Sequence, residues 1–547
     1  MKYRLFVILF FIVFIGFVFR FYQLGTNPPS LTWDEVSWGY NAYSLGIDGR
    51  DEFGRLLPYD YLESFGDFKP PLYAYLDIFP VKLFGLTEFA VRFPSALFGT
   101  LTVLLTYFLV KQIFVSSKYR EQYALVAAGL LAISPWHIML SRAAFEANVA
   151  SFLLVAGVWL FLFALQQRPW LMVVSALSFV LCFYTFNSVR IVAPLLVIVL
   201  SIGFWKQLWL IKKQVIVAAV VGIIALAPLI PFLFSPQASL RYKEVNIFSD
   251  IEVIKNVNQQ IANDENTWWS KILHNRRFAY AVEYGKHYLD NLSPSFLFIT
   301  GDGNPKFSTQ SLGQLYFFEL PFLLLGILLI FKKREDRWWL IPLWLLLAII
   351  PAATARETPH ALRIEGTLPM FQIFVAYGLV QAFFFMKRHQ SKIIKQGLPL
   401  IITGFFFFAA YNVAYFIEDY YRHYPKAYSA EWQYGYKDAL LYSQKVETQY
   451  DKIYFTKELG RPYIYELFYH QYDPKAFRKE AIVHRDPFGF VTIERVGKYY
   501  FEKDSLDKTE NSRILYIDIP AHVPENAIVK KTFYLVNGEK ALVAYTR

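Results

Sequence analysis

FLLVAGVWLFLFAL, residues 152–165, is an unbroken apolar run with no polar side chain and none of the alternation of a half-buried strand. The hydrocarbon core of a bilayer takes about 20 apolar residues to cross as a helix. In lipid only helices and closed barrels satisfy their own backbone groups. With its flanks the run fills one crossing, at 147–165. Working outward, similar blocks recur at 5–23, 91–114, 122–140, 170–187, 191–205, 215–234, 314–331, 338–355, 365–386 and 397–416, which makes eleven in all. The chain of 547 residues is 55% hydrophobic and 19% aromatic, with 18% charged. These features predict a polytopic α-helical membrane protein.

The net charge of +11 does not require a nucleic-acid partner. Lys and Arg gather in short loops between apolar blocks: KYR (2–4), KYRE (118–121), IKK (211–213), KKRED (332–336) and KRHQSKIIK (387–395). Cytoplasmic loops carry such an excess. Eleven crossings with the N-terminus inside place every one of these loops in the cytoplasm. A further crossing through 71–85 would put the later clusters outside, so that segment, with Asp77, Pro80 and Lys82, reads as an interfacial or re-entrant helix. The first apolar block lacks a small-residue cleavage site and reads as an uncleaved anchor. The single cysteine, Cys182, lies within an apolar block and forms no intramolecular disulfide.

This topology predicts a transmembrane domain over 1–418, with outer loops at 24–90, 134–146 and 235–313, and an extracytoplasmic α/β domain over 419–547. In the tail, segments 451–456, 497–502, 513–518 and 541–546 have strand composition, whereas YGYKDALLYSQKV and RPYIYELFYH read as helices. Within 235–313, NTWWSKILHNRRFAYAVEYGKHY reads as amphipathic helix with an interfacial aromatic anchor.

The chemistry-bearing residues collect at the outer ends of the spans. LTWDEVSWGYNAY (31–43) sets Asp34 and Glu35 side by side at the start of an amphipathic run. Acids at a helix start meet its dipole favourably, so helix capping is the bland reading of this pair. The next short loop adds Arg142 and Glu146. YTFNSVRIVAP brings Arg190, and ARETPHALRIEG brings Arg356, His360, Arg363 and Glu365. Ionisable residues at membrane depth are functional candidates, set against the plainer role of interfacial snorkelling.

TWDEVSWGYNAYSL, DFKPPLYAYL and EFAVRFPSALFGTLTVLLTYFLVKQIF resemble the GT-C membrane glycosyltransferases, in the superfamily of protein O-mannosyltransferases and aminoarabinose-lipid A transferases (glycosyltransferase family 39-like). AISPWHIMLSRAAFEANVASF, GDGNPKFSTQSLGQLYFFELPFLLLG and HYPKAY with WQYGYKDALLY extend the resemblance toward the tail. It implies an inverting transfer of a hexosyl or pentosyl unit from a polyprenyl-phosphate carrier to an acceptor hydroxyl outside the membrane. Such chemistry needs a carboxylate base near the acceptor and cations beside the departing phosphate.

Carried over by position, the resemblance makes Asp34 the catalytic aspartate, with Glu35 its neighbour and Glu146 a second acid. Lys69 matches the lysine of the KPPL motif. Lys69, Arg190, His360 and Arg363, with Arg142 nearby, are the cations expected at the donor phosphate. Related lipid A transferases often place a glutamate directly before KPPL; here that position is Phe68, with Asp67 one step earlier. No cofactor is assigned, and a divalent metal is left open, with Asp67 and Glu146 the candidate ligands. The expected partners are the lipid-linked donor, a protein, lipid or glycan acceptor, and membrane lipid, in a bacterial plasma membrane. The rival class is a polytopic transporter or flippase of a lipid-linked glycan, which should show inverted repeats and midplane charges; no repeat is visible.

Overall fold

The computed structural model describes residues 2–238, 246–388, 392–485, 491–506 and 512–547. Residues 239–245 of the long loop and 389–391 of the basic stretch 387–395 lie outside the described residues. Two compact units divide the chain. One comprises Met1–Arg20, Leu97–Ser141 and Glu146–Phe416; the other comprises Phe21–Ala96, Arg142–Phe145 and Ile417–Arg547.

The first, apolar unit is helical. Each of the eleven apolar blocks falls on a helix, but the helices are unequal. Among the described residues, Tyr3–Phe21, Glu88–Ile113, Glu146–Gln166, Lys212–Leu233, Glu365–Arg388 and Pro399–Tyr428 are long and apolar enough to cross a membrane. A seventh arises if Arg120–Ile133 and Pro135–Arg142, bent by 55° at their break, form one span. Pro135 explains the break, because its ring cannot continue the hydrogen-bond ladder of the preceding helix. Leu171–Phe183, Val189–Gly203 and Leu340–Thr354 are apolar but shorter, as is Leu320–Lys333. Among the described residues, length and composition support six or seven crossings on their own, and the expected count of eleven, which needs the shorter helices to cross as well, is not confirmed.

Leu320–Lys333 and Met370–Arg388 approach through glycine. A Cβ on Gly326 would lie 1.9 Å from the Phe374 carbonyl oxygen, and one on Gly378 would lie 2.1 Å from that of Phe322. Small residues at such crossings let helix backbones touch in a membrane protein. The stretch read as one amphipathic helix is two, Trp268–Leu273 and Arg276–Asp290. Asn275 caps the second by accepting from the Arg277 N–H at 2.8 Å.

The second unit carries the sheet. Strands β1 (Leu62–Ser64) and β2 (Asp67–Lys69) form an antiparallel hairpin. Its two-residue turn has Phe65 at φ 61° and Gly66 at φ 83°, the left-handed pair that matches strand twist in tight hairpins. Farther on come β3 (Lys452–Phe455), β4 (Ile482–Arg485), β5 (Val491–Val496), β6 (Tyr499–Tyr500), β7 (Ile514–Asp518), β8 (Ile528–Tyr534) and β9 (Lys540–Thr546). Their spatial order is β4-β5-β6-β3-β7-β9-β8. The central β6-β3-β7 pairing is parallel and both flanks are antiparallel. Tyr454, Tyr500, Leu506, Tyr516, Val543 and Tyr545 form its aromatic-rich core.

All four strand segments read from the tail sequence are strands, and both helical segments are helices, Tyr436–Val446 and Pro462–Tyr469. The tail does not form a compact unit alone, however: residues 21–96 and 142–145 belong with it. Gly39 shows why. A Cβ there would stand 2.6 Å from both Phe468 and Val91, so helix Trp33–Asp48 packs closely on the tail helix Pro462–Tyr469.

Candidate active site

Helix Trp33–Asp48 opens with a capping box. Thr32 is the N-cap: its Oγ1 accepts from the Glu35 N–H at 3.4 Å, and Glu35 Oε2 accepts from the Thr32 N–H at 2.9 Å. The pattern Thr-x-x-Glu satisfies two helix-start amides reciprocally. Glu35, not Asp34, is therefore the acid that serves the helix start. It is fully enclosed, and so is Arg92, whose Nε donates to Glu35 Oε1 at 2.9 Å. Arg92 also donates to the carbonyls of Leu24 (3.2 Å), Pro28 (2.8 Å) and Ser30, while Glu35 Oε1 takes the Ala144 N–H at 3.0 Å. Every oxygen of this carboxylate is engaged by protein donors. Its geometry suits a positioning residue that ties 24–30, 32–35, 92 and 144 together.

Asp34, one residue earlier, faces the other way. Its side chain is 52% exposed and forms an ion pair with Lys69 Nζ. Lys69 ends β2 and is itself nearly buried, with its ammonium 5.1 Å from the ring centroids of both Trp38 and Phe65. The hairpin is fastened to the same helix by Ser37 Oγ and Ser64 Oγ, 2.6 Å apart, and by Asn41 Nδ2, which donates to Ser64 Oγ at 3.3 Å. Asp34 is thus a solvent-facing carboxylate whose cationic partner sits in an aromatic clamp.

Arg142 belongs to the same unit and is fully buried. It donates to the Asn27 carbonyl at 2.8 Å and to Tyr420 Oη at 3.3 Å, with its guanidinium 5.1 Å from the Tyr421 ring. Its donors serve the protein's own backbone and tyrosines. This corrects the expectation that it faces a ligand phosphate.

In the apolar unit Arg363 and Glu365 line one small crevice; Glu146, Arg190 and His360 are not among its lining residues. Ala147 and Ser151, on the helix that Glu146 begins, line it with Ser188, Val189, Arg363 and Glu365. Arg190 directly follows Val189 in helix Val189–Gly203. Its Nε donates to the Phe183 carbonyl at 2.9 Å and its guanidinium lies 5.7 Å from the Phe232 ring. Arg363 donates to the Glu357 carbonyl at 3.3 Å. Glu365 is buried, and among the described residues neither carboxylate oxygen has a hydrogen-bond partner.

His360 departs from the expected cation. Burial, with the neighbouring Arg363 charge, holds its imidazole well below the usual range, so it is neutral near pH 7. It packs on Phe307 with ring centroids 4.9 Å apart. Asp302, whose carboxyl burial pushes up to about 6, accepts from the Ala361 N–H at 2.6 Å.

The two metal candidates belong to different units. Asp67 lies in the sheet-bearing unit and Glu146 in the apolar one. Among the described residues no group of three His, Cys, Asp or Glu side chains is arranged to hold an ion.

Arg92 is the functional residue that the motif reading passed over. Its signal was present: a lone arginine near the start of an apolar span, in EFAVRFP, is the kind of intramembrane charge that demands a partner.

Comparison with known proteins agrees with this architecture. Residues 68–233 match the family model for dolichyl-phosphate-mannose-protein mannosyltransferase. No curated protein matches the chain in sequence. Among solved structures, apo ArnT from Cupriavidus metallidurans superposes with TM-score 0.53 at 12% identity, covering 99% of this chain and 97% of that one. The same enzyme bound to undecaprenyl phosphate gives 0.50 at 11% identity, covering 100% and 97%. The apo oligosaccharyltransferase of Archaeoglobus fulgidus gives 0.51 at 15% identity over 86% of this chain, which spans only 64% of the archaeal protein's length. The chain shares the fold of ArnT and of the archaeal oligosaccharyltransferase, and its residues 68–233 match the dolichyl-phosphate-mannose-protein mannosyltransferase family in sequence.

Proposed function

We propose that the protein is an inverting glycosyltransferase that moves a sugar from a polyprenyl-phosphate carrier to an acceptor hydroxyl at the extracytoplasmic face. The observation that carries this reading is the division of labour in the adjacent acids. Glu35 is saturated and enclosed, whereas Asp34 is half exposed, anchored by Lys69 and fixed on a helix locked at its start. A general base needs that combination of access and restraint.

In the proposed step Asp34 takes the proton of the acceptor hydroxyl as its oxygen bonds to the anomeric carbon. The bond from that carbon to the phosphate oxygen breaks on the opposite face, and the lipid phosphate leaves with the electron pair. The configuration inverts, as in single-displacement glycoside chemistry. Lys69, expected at the donor phosphate, is assigned instead to holding the carboxylate in place, since its ammonium pairs with Asp34 and is clamped by Trp38 and Phe65. Arg190 and Arg363 are assigned to the leaving phosphate and Glu146 to a supporting role at the donor, all three by the family resemblance. The undecaprenyl phosphate bound by ArnT makes an isoprenoid phosphate the natural carrier to test. The proposed topology keeps the N-terminus and the basic loops in the cytoplasm of a bacterial plasma membrane, with residues 419–547 outside and the domain boundary near 418.

The test is transfer by purified protein from a panel of polyprenyl-phosphate-linked sugars to added acceptors, with the anomeric configuration of product read by NMR. Inverted product that depends on Asp34 supports the reading. Failure to bind any polyprenyl phosphate, or product with retained configuration, overturns it.

A further inference from the structure

The sheet-bearing unit holds a second concave site that the proposed reaction does not use. It has a volume of about 440 Å³ and is lined by Glu52, Phe53, Phe477, Arg478, Val483 and Arg485. Small-molecule sites occupy about 300–1,000 Å³. One wall is apolar: the Phe53 and Phe477 rings stand 6.4 Å apart at 53°, and Val483 adds an aliphatic side. Such a corner suits the C–H face of a saturated ring better than it suits a flat aromatic ligand.

The polar groups opposite are held rigidly. Arg478 donates to Ser44 Oγ at 3.1 Å, to the Asp51 carbonyl at 3.0 Å and to Asp48. Arg485 forms a two-point pair with Glu63, lies 5.6 Å from the Phe53 ring and keeps 47% of its side chain exposed. Each guanidinium already has a carboxylate beside it. The pair therefore offers directed N–H donors with little net charge, which favours hydroxyl groups over a bare anion.

At the floor lies Glu52, fully buried. Its contacts from Tyr463 Oη (3.4 Å) and Asn41 Nδ2 (3.5 Å) are long, and the Ser64 hydroxyl and the Lys69 charge also act on its carboxyl. Burial, with the Asp51 charge next in weight, pushes its carboxyl well above the usual range. A neutral carboxyl both donates and accepts, as a sugar hydroxyl does. We propose that this pocket is a carbohydrate subsite, separate from the transfer site, that takes a neutral pyranose ring of the acceptor. Its role as acceptor subsite rests on the glycosyltransfer reading above; ring binding does not.

The test uses the full chain in nanodiscs and saturation-transfer NMR with methyl α-mannoside, methyl β-glucoside and methyl N-acetyl-β-glucosaminide. At least one glycoside should show ring-proton saturation. The loss of one aromatic contact in Phe53→Ala should weaken that binding about fivefold. Val483→Trp, which fills the pocket from its partly exposed wall without touching the core, should abolish it and guards against a Phe53 variant that fails to fold. Absence of saturation for all three glycosides, binding unmoved by Val483→Trp, or displacement of the ring by inorganic phosphate would each overturn the proposal. Polyprenyl-phosphate binding and sugar transfer, measured on the same samples, keep the two readings distinct. Ring binding without transfer leaves the subsite standing and removes its acceptor role. Transfer without ring binding removes the subsite alone.

Discussion

Asp34→Asn separates catalysis from architecture in this protein. The substitution keeps the side chain's shape and removes its capacity to take a proton. Because Thr32 rather than Asp34 caps the helix, the helix start is untouched. Asparagine still offers Lys69 an acceptor oxygen, and the ammonium keeps its place between Trp38 and Phe65. With 52% of the Asp34 side chain exposed, losing the ionic part of this pair costs the fold about 0–1 kcal/mol, the range of solvent-exposed ion pairs. The rate effect is much larger. General-base catalysis contributes about 10²–10⁴-fold, or about 3–5 kcal/mol of barrier at about 1.36 kcal/mol per decade. Initial rates of transfer from a polyprenyl-phosphate-linked sugar should fall by that factor, while the thermal midpoint in detergent and the affinity for the lipid-linked donor stay near wild type. Turnover within a few-fold of wild type in folded Asp34→Asn would refute the assignment and leave the Asp34–Lys69 pair as a surface contact.

Three further predictions address the rest of the site. Glu35→Gln places an amide against the Thr32 and Ala144 N–H groups and leaves Arg92 without its counter-charge, so it should destabilise the protein by about 3–5 kcal/mol; wild-type melting with lost activity would instead make Glu35 a participant in the reaction. Asp302, whose carboxyl burial pushes up to about 6, binds its proton more tightly folded than unfolded. Its contribution to stability is therefore fully present below about pH 4 and is lost as pH rises through about 6; hydrogen exchange around Ala361, corrected for intrinsic rate, should accelerate across that window and lose the dependence in Asp302→Asn. Arg190→Ala should weaken undecaprenyl-phosphate binding more than acceptor binding, and equal effects on both would remove Arg190 from the donor side.

Much of the fold was legible because membrane burial leaves a one-dimensional record. Apolar blocks such as 147–165 and 365–386 must be helical once they are long and uncharged, and each is. Four of the seven tail strands were legible for a similar reason, since segments such as DKIYFT and ALVAYT concentrate β-branched and aromatic residues between turn signals, whereas β4, β5 and β8 were not read. Lengths were harder. Residues 170–187 read as a full span, yet their helix is Leu171–Phe183, because chain ends of helices are set by local hydrogen bonding rather than by mean hydropathy. The membership of the tail unit was not legible at all. That loop one joins the tail depends on Gly39 meeting Phe468 and on Glu63 meeting Arg485, contacts between residues more than 400 positions apart that leave no local pattern.

The adjacent acids give the sharpest case, because local physics could have told them apart. Successive residues of a helix point about 100° apart, so neighbours in sequence do not share a face. One of two consecutive carboxylates at a helix start will turn toward the protein and the other away from it. Which one turns inward follows from the threonine: Thr32 lies three residues before Glu35, the capping-box spacing, and no such partner precedes Asp34 at that distance, where Leu31 stands. Thr32 thus assigns Glu35 to the helix start and frees Asp34 to face solvent. The remaining step, that Glu35 also meets Arg92 57 positions away, required the fold. Even so, a buried carboxylate predicts a buried cation, and Arg92 is the arginine within the next apolar span. The pair that holds the site and the residue proposed to act in it are distinguished by one helical step.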